Sequence, residues 1–107
     1  MAKTAIITGA SQGIGACIAK RLAKDGFNIA VNCYPSENDK ANAQKVADDC
    51  KTFGVEAEIF SADVSKHSDC EGMVKAIKER FSTIDVLVNN AGIRKDGLLA
   101  RMPEENF

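Results

Sequence analysis

The stretch Thr4-Ala5-Ile6-Ile7-Thr8-Gly9-Ala10-Ser11-Gln12-Gly13-Ile14-Gly15 sets the reading of the whole chain. Its first part, Thr4 to Thr8, is short, apolar at its centre and β-branched, as a buried strand is, and Gly9 ends it. Beyond it Ile14, Ile18 and Leu22 recur every four residues, the spacing of one helix face. Glycines at positions 9, 13 and 15 fill the join. A strand that turns at once into a helix uses glycine for a sharp turn, for close approach of a ligand's phosphates to the backbone, and for tight helix–strand packing. The helix start then offers unpaired N–H groups and a positive dipole end to an anion. Ile14-Gly15-Ala16 stands where a mononucleotide-binding loop would carry Lys followed by Ser or Thr, which excludes that loop. The spacing G-x-x-x-G-x-G also differs from the commoner G-x-G-x-x-G. Its place between strand and helix predicts a dinucleotide site.

The same alternation continues outward. Asp25-Gly26 closes the first helix, and Asn28 to Asn32 forms a second strand around Ile29-Ala30-Val31. Cys33 to Asn38 reads as a polar turn. Ala43, Val46, Ala47, Cys50 and Phe53 make the stripe of a second helix, stopped by Gly54. Val55 to Phe60 is a third strand in which Glu56 and Glu58 alternate with Val55, Ala57 and Ile59, as at a sheet edge. Cys70, Met73, Val74, Ile77 and Phe81 form a third stripe. Ile84 to Val88 is a fourth strand, apolar on both faces, as inside a sheet. Strands alternating with helices imply an α/β fold with right-handed crossovers. The expected architecture is a Rossmann-type doubly wound parallel sheet of four strands and three crossover helices, in the order 3-2-1-4.

Composition narrows the function. The chain has 107 residues and a formal net charge of -1, whereas phosphate-tracking proteins carry a basic surplus, so nucleic acid is not an expected partner. A hydrophobic fraction of 45% with 27% charged residues argues for a folded core. No apolar run approaches the roughly 20 residues of a membrane helix. Met1-Ala2-Lys3-Thr4 leads straight into the first strand, so no signal peptide is expected. Cys17, Cys33, Cys50 and Cys70 are scattered without a C-x-x-C pair, which fits unlinked thiols filling apolar space in the cytoplasm, with no metal site. An apolar fourth strand with no fifth strand beside it would leave a bare edge. Pro103-Glu104-Glu105 also reads as a helix start. The expectation is that residues 1–107 are the N-terminal, cofactor-binding portion of one larger domain, with a C-terminal catalytic portion absent.

Three motifs in order carry a resemblance. Thr8-Gly9-Ala10-Ser11-Gln12-Gly13-Ile14-Gly15, Asp63-Val64 after the third strand, and Asn89-Asn90-Ala91-Gly92 after the fourth together resemble the short-chain dehydrogenase/reductase family. The run from Asn89 to Met102 is most similar to its 3-oxoacyl-acyl-carrier-protein reductases, and Arg21 to Phe27 also to acetoacetyl-CoA reductases. The resemblance implies reduction of a 3-ketoacyl thioester in fatty acid biosynthesis and a homo-oligomer, commonly a tetramer. It assigns Gly9, Ser11, Gln12, Gly13, Ile14 and Gly15 to the pyrophosphate and adjoining ribose. It gives Asp63 and the Val64 backbone to the adenine, and Asn90, Ala91 and Gly92 to the nicotinamide ribose. Asp63 has an alternative reading as a cap for the third helix. Asn89 reads as a sheet-to-loop hydrogen-bonding residue.

No catalytic residue is assigned. The family's proton donor is a Tyr with a Lys four residues on, helped by a Ser and a relay Asn. The single tyrosine here, Tyr34, has Asn38 at that distance. Substrate contact by Arg94, Lys95 and Arg101 is the lesser reading beside a solvated loop, and His67 reads as an exposed residue of a helix start. A companion segment carrying the missing groups is therefore expected, with acyl carrier protein as a possible further partner. The alternatives are an inactive nucleotide-binding module or a structural remnant. The cofactor expectation is NADP(H) over NAD(H). An NAD site places an acid at the end of the second strand. Here Asn32, Tyr34 and Ser36 offer neutral groups to a 2′-phosphate, and no acid comes before Glu37.

Overall fold

A computed structural model describes residues 3–90 of the chain. Readings that fall on Ala91, Gly92, Arg94, Lys95, Arg101 and Pro103 to Phe107 lie outside the described residues. The elements run β1 (Thr4–Ile7), α1 (Gly13–Lys24), β2 (Asn28–Cys33), α2 (Glu37–Lys51), β3 (Ala57–Ser61), α3 (His67–Phe81) and β4 (Val86–Val88). The strands form one parallel sheet, as the alternation of elements implies, in the order β3-β2-β1-β4 expected of a Rossmann-type fold.

Side-chain alternation along the strands separates two layers. Ala5 and Ile7 of β1 and Ile29, Val31 and Cys33 of β2 face one way, into a core shared with Ala16, Ala19 and Ala23 of α1 and Ala43, Val46, Ala47 and Cys50 of α2. Ile6 and Ala30 face the other way and meet Met73 and Ile77 of α3, with Phe60, Phe81 and Leu87 packed around them. Helices α1 and α2 thus cover one face and α3 the other. The first two crossovers carry the chain from β1 out to β3. The third brings β4 back to the opposite side of β1, which creates a switch point between β1 and β4.

Several local expectations are corrected by packing. Ile14 is 63% exposed and stands off the buried face of α1. Glycine and alanine fill that face instead, because small residues bring the helix axis close to the sheet, while Ile18 and Leu22 pack at its margin. Strand β2 runs on through Cys33, which is fully buried, pairs with Ser61 of β3 and accepts from Ala62 N–H just past that strand, rather than lying in a turn. Strand β3 begins at Ala57 rather than Val55, and Phe53 lies beyond α2, largely exposed. Val74 sits at the solvent margin of α3. Of the four thiols Cys33 and Cys50 fill core space, Cys70 is half-buried and donates to the Val64 carbonyl, and Cys17 is exposed. Strand β4 stands at the margin of the described sheet, and all three of its residues are half-buried. Among the described residues no helix is long and apolar enough to cross a membrane, and no cluster of His, Cys, Asp or Glu is arranged to hold a metal.

Candidate functional site

The crevice at the carboxyl ends of β1 and β4 gathers the glycine turn and the asparagine pair. Thr8 N–H donates to the Val88 carbonyl at 3.0 Å, and Thr8 Oγ1 donates to Asn89 Oδ1 at 3.3 Å. Asn89 therefore joins strand to loop, as read from the sequence. Asn90 Nδ2 donates to the Gly9 carbonyl at 3.0 Å, which fixes Asn90 directly against the turn.

The three glycines perform separable tasks. Gly9 and Gly13 have φ of 59° and 63°, a left-handed backbone that disfavours other residues. Gly15 has ordinary helical backbone but no room. A Cβ there would stand 2.5 Å from Asn90 Nδ2 and 2.6 Å from the Gly9 carbonyl oxygen. Gly15 thus allows α1 to lie against β1 and Asn90. At Gly13 a Cβ would meet nothing within 4 Å, so that backbone faces open space.

The start of α1 differs from that of α2. Gln12 precedes α1 without a side-chain cap, and the first turn holds no acid. The leading N–H groups of α1 therefore present positive charge toward the crevice. Helix α2 is capped by Ser36 Oγ, which accepts from Asp39 N–H at 3.2 Å, and has Glu37 and Asp39 in its first turn. An uncapped, acid-free helix start behind a glycine turn fits the pyrophosphate of a dinucleotide. Ile14, exposed at this helix start, adds apolar surface to the mouth of the crevice.

Asn32 departs from its expected role. It is 2% exposed and turned inward. Its Oδ1 accepts from Gly9 N–H at 2.9 Å, its backbone carbonyl accepts from Ala10 N–H, and its Nδ2 donates to the Phe60 and Ala62 carbonyls. Asn32 therefore positions the glycine turn and does not present a donor to a ligand. Tyr34 is 57% exposed just past β2. Ser36 spends its oxygen on the α2 cap, and its hydroxyl proton remains able to donate. Asp63 lies past β3. Its Oδ1 accepts from both Ser65 N–H at 3.0 Å and Ser65 Oγ at 2.6 Å, which hold its carboxyl below the usual range. Lys66 occupies the N-cap position of α3 without a side-chain cap, and the Asp63 carboxylate is turned to Ser65, so Asp63 shapes the turn before that helix rather than capping it. Val64 packs with the α3-side core while its carbonyl accepts from Cys70. His67 begins α3, is exposed, and pairs with Glu71. Asp39 was not among the residues expected here. It reaches Ser11 Oγ and Tyr34 N–H at 2.7 Å each, a contact that its distance along the chain conceals.

The motif order, the glycine geometry and the switch point agree with the comparisons to known proteins. The chain is 48% identical over its whole length to the 3-oxoacyl-acyl-carrier-protein reductase of Staphylococcus epidermidis strain RP62A, covering 43% of that protein. It is 41% identical to the acetoacetyl-CoA reductase of Allochromatium vinosum, again over all of this chain and 43% of the relative. It spans less than half the length of these relatives. The crystal structure of a dehydrogenase from Burkholderia cenocepacia with bound NADP superposes with a TM-score of 0.77 at 31% identity, over 82% of this chain and 33% of that one. The family model for short chain dehydrogenase matches residues 3–107, so the chain that folds this glycine turn against Asn90 belongs to the short-chain dehydrogenase family.

Proposed function

We propose that this chain supplies the cofactor-binding portion of an NADP(H)-dependent oxidoreductase that reduces a 3-ketoacyl thioester, on acyl carrier protein or CoA, to the 3-hydroxyacyl thioester. The observation that carries the reading is the meeting of Gly9, Gly15 and Asn90 at the switch point, beside the uncapped start of α1. Open parallel sheets bind ligands outside the carboxyl ends of strands at such a point. The α1 N–H groups from Gly13 onward would hold the pyrophosphate, and Asn90, with Ala91 and Gly92 beyond it, would lie along the nicotinamide ribose. The adenine would lie toward Asp63 and Val64. When bound, the nicotinamide supplies a hydride.

The thioester substrate is supported by the names of the two relatives, and a proton donor would come from a companion C-terminal segment. A homo-oligomer, a tetramer by family habit, and a cytoplasmic setting belong to the same proposal. NADP(H) is favoured by the neutral run from Asn32 to Ser36 and by the NADP-bound relative. The test is a titration of the full-length protein with NADPH and NADH, followed by turnover of acetoacetyl thioesters. Tighter NADPH binding and NADPH oxidation are expected. Tighter NADH binding overturns the cofactor assignment, and absence of ketothioester turnover overturns the substrate.

A further inference from the structure

Two turns that meet at the cofactor crevice share one carboxylate. Asp39, in the first turn of α2, accepts from Ser11 Oγ at 2.7 Å through Oδ1 and from Tyr34 N–H at 2.7 Å through Oδ2. Ser11 belongs to the glycine turn after β1 and Tyr34 to the turn after β2. They are two of the donors near the end of β2, beside the Ser36 hydroxyl, where a dinucleotide's adenosine ribose sits in this fold. The charge of Asp39 is felt there: the Cys33 thiol is pushed up by burial and, next, by Asp39, with Lys40 acting in the opposite direction.

We infer that Asp39 is a specificity-determining residue that disfavours a 2′-phosphorylated dinucleotide against one with a free 2′-hydroxyl, because its carboxylate puts a like charge there and already engages two of the donors a phosphate would use. The inference rests on the reading that this crevice takes a nicotinamide dinucleotide. A ribose hydroxyl donates to a carboxylate at no electrostatic cost. A 2′-phosphate must compete with Asp39 for the Ser11 hydroxyl and the Tyr34 N–H, and then lie against a like charge. The neutral run before α2 sets the preference for NADP(H), and Asp39 limits it. A role confined to tying the Ser11 and Tyr34 turns together would affect folding and leave the choice between ligands unchanged.

The experiment measures binding of 2′,5′-ADP and 5′-ADP to the full-length protein by calorimetry, in the parent and in Asp39→Asn, Asp39→Ser and Asp39→Glu. Each variant is judged by the ratio of its two affinities, so a reduced folded fraction cancels. The ratio is expected to move toward 2′,5′-ADP by about tenfold in the neutral variants, between the water-screened and protein-surface limits for removing one like charge at short range. Asp39→Glu keeps the charge and is expected to keep the ratio within about twofold by the same reasoning. Asparagine and serine test the same loss of charge with different shapes, so a disturbed turn in one leaves the other to report. An unchanged ratio in the neutral variants, or an equal rise in Asp39→Glu, overturns the inference while leaving the dinucleotide site standing. Failure of the parent to bind either probe overturns the dinucleotide reading itself, and this inference with it.

Discussion

At the scale of single residues, Gly13 and Gly15 separate ligand approach from packing. Gly15→Ala forces a Cβ against the Gly9 carbonyl and the Asn90 amide, and a backbone oxygen has little freedom to retreat. The expected cost is roughly 1–3 kcal/mol of stability, as for other overpacked sites, together with weaker dinucleotide binding as Asn90 is displaced. In Gly13→Val the added Cβ meets no neighbour within 4 Å but requires a left-handed backbone, a strain of about 1–2 kcal/mol. Its side chain projects into open space over the turn, so the fold should largely persist while NADPH affinity falls. Thermal melts paired with titrations check both variants, and unchanged affinity in Gly13→Val would place the phosphates elsewhere. The glycine spacing was legible because it is local. The inward turn of Asn32 and the reach of Asp39 to Ser11 were not, since each depends on which strands become neighbours. A polar residue at the end of a strand reads the same in sequence whether it faces a ligand or a buried backbone.

Elements show the same division between pattern and packing. Strand and helix order followed from periodicity, but periodicity did not identify the buried face of α1, because alanine and glycine carry a weak apolar signal beside Ile14. The pairing of β4 with β1 has a device of its own. Asp85 Oδ2 accepts from Thr4 N–H at 2.9 Å and from Thr83 Oγ1 at 3.0 Å, while Asp85 N–H donates to the Thr4 carbonyl at 2.8 Å. These donors, the Thr4 backbone first, hold the Asp85 carboxyl below its usual range, and Ser65 does the same for Asp63. A carboxyl whose pKa is depressed on folding stabilises the native state above its unfolded value of about 3.9. That contribution is lost as pH falls through the lower, folded value. Stability should therefore decline in acid, and Asp85→Asn should be less stable at pH 7 with a shallower acid decline. Urea midpoints across the acid range check this, and an acid decline in Asp85→Asn as steep as the parent's would remove Asp85 from the account.

On the scale of the whole molecule, the sheet sets how far apart the two ends of a bound dinucleotide would lie, and this bears on what the 107 residues are expected to do alone. Strands β2 and β4 flank β1, so Tyr34 past β2 and Asn90 past β4 emerge two strand spacings, roughly 10 Å, apart. On the proposed reading the chain's single tyrosine would lie on the adenosine side, away from the carbonyl that would receive the hydride, and Asn38 follows it where the family's lysine would stand. General acid help is typically worth roughly 10²–10⁴-fold, and placement of the substrate contributes more. The 107-residue chain by itself is therefore expected to oxidise NADPH no faster with a 3-ketoacyl thioester present than without it. Val86, Leu87 and Val88 are each half-buried and apolar, which favours self-association wherever β4 lacks a further strand. Mixing the chain with a segment bearing the Tyr-x-x-x-Lys helix and its neighbouring strands should lower that self-association and restore turnover together. The check follows NADPH absorbance with the mass-verified chain, alone and complemented, alongside light scattering. Enzyme-like turnover by the chain alone would require a proton donor that neither Tyr34 nor His67 is placed to supply, and would overturn the division of labour proposed for this fold.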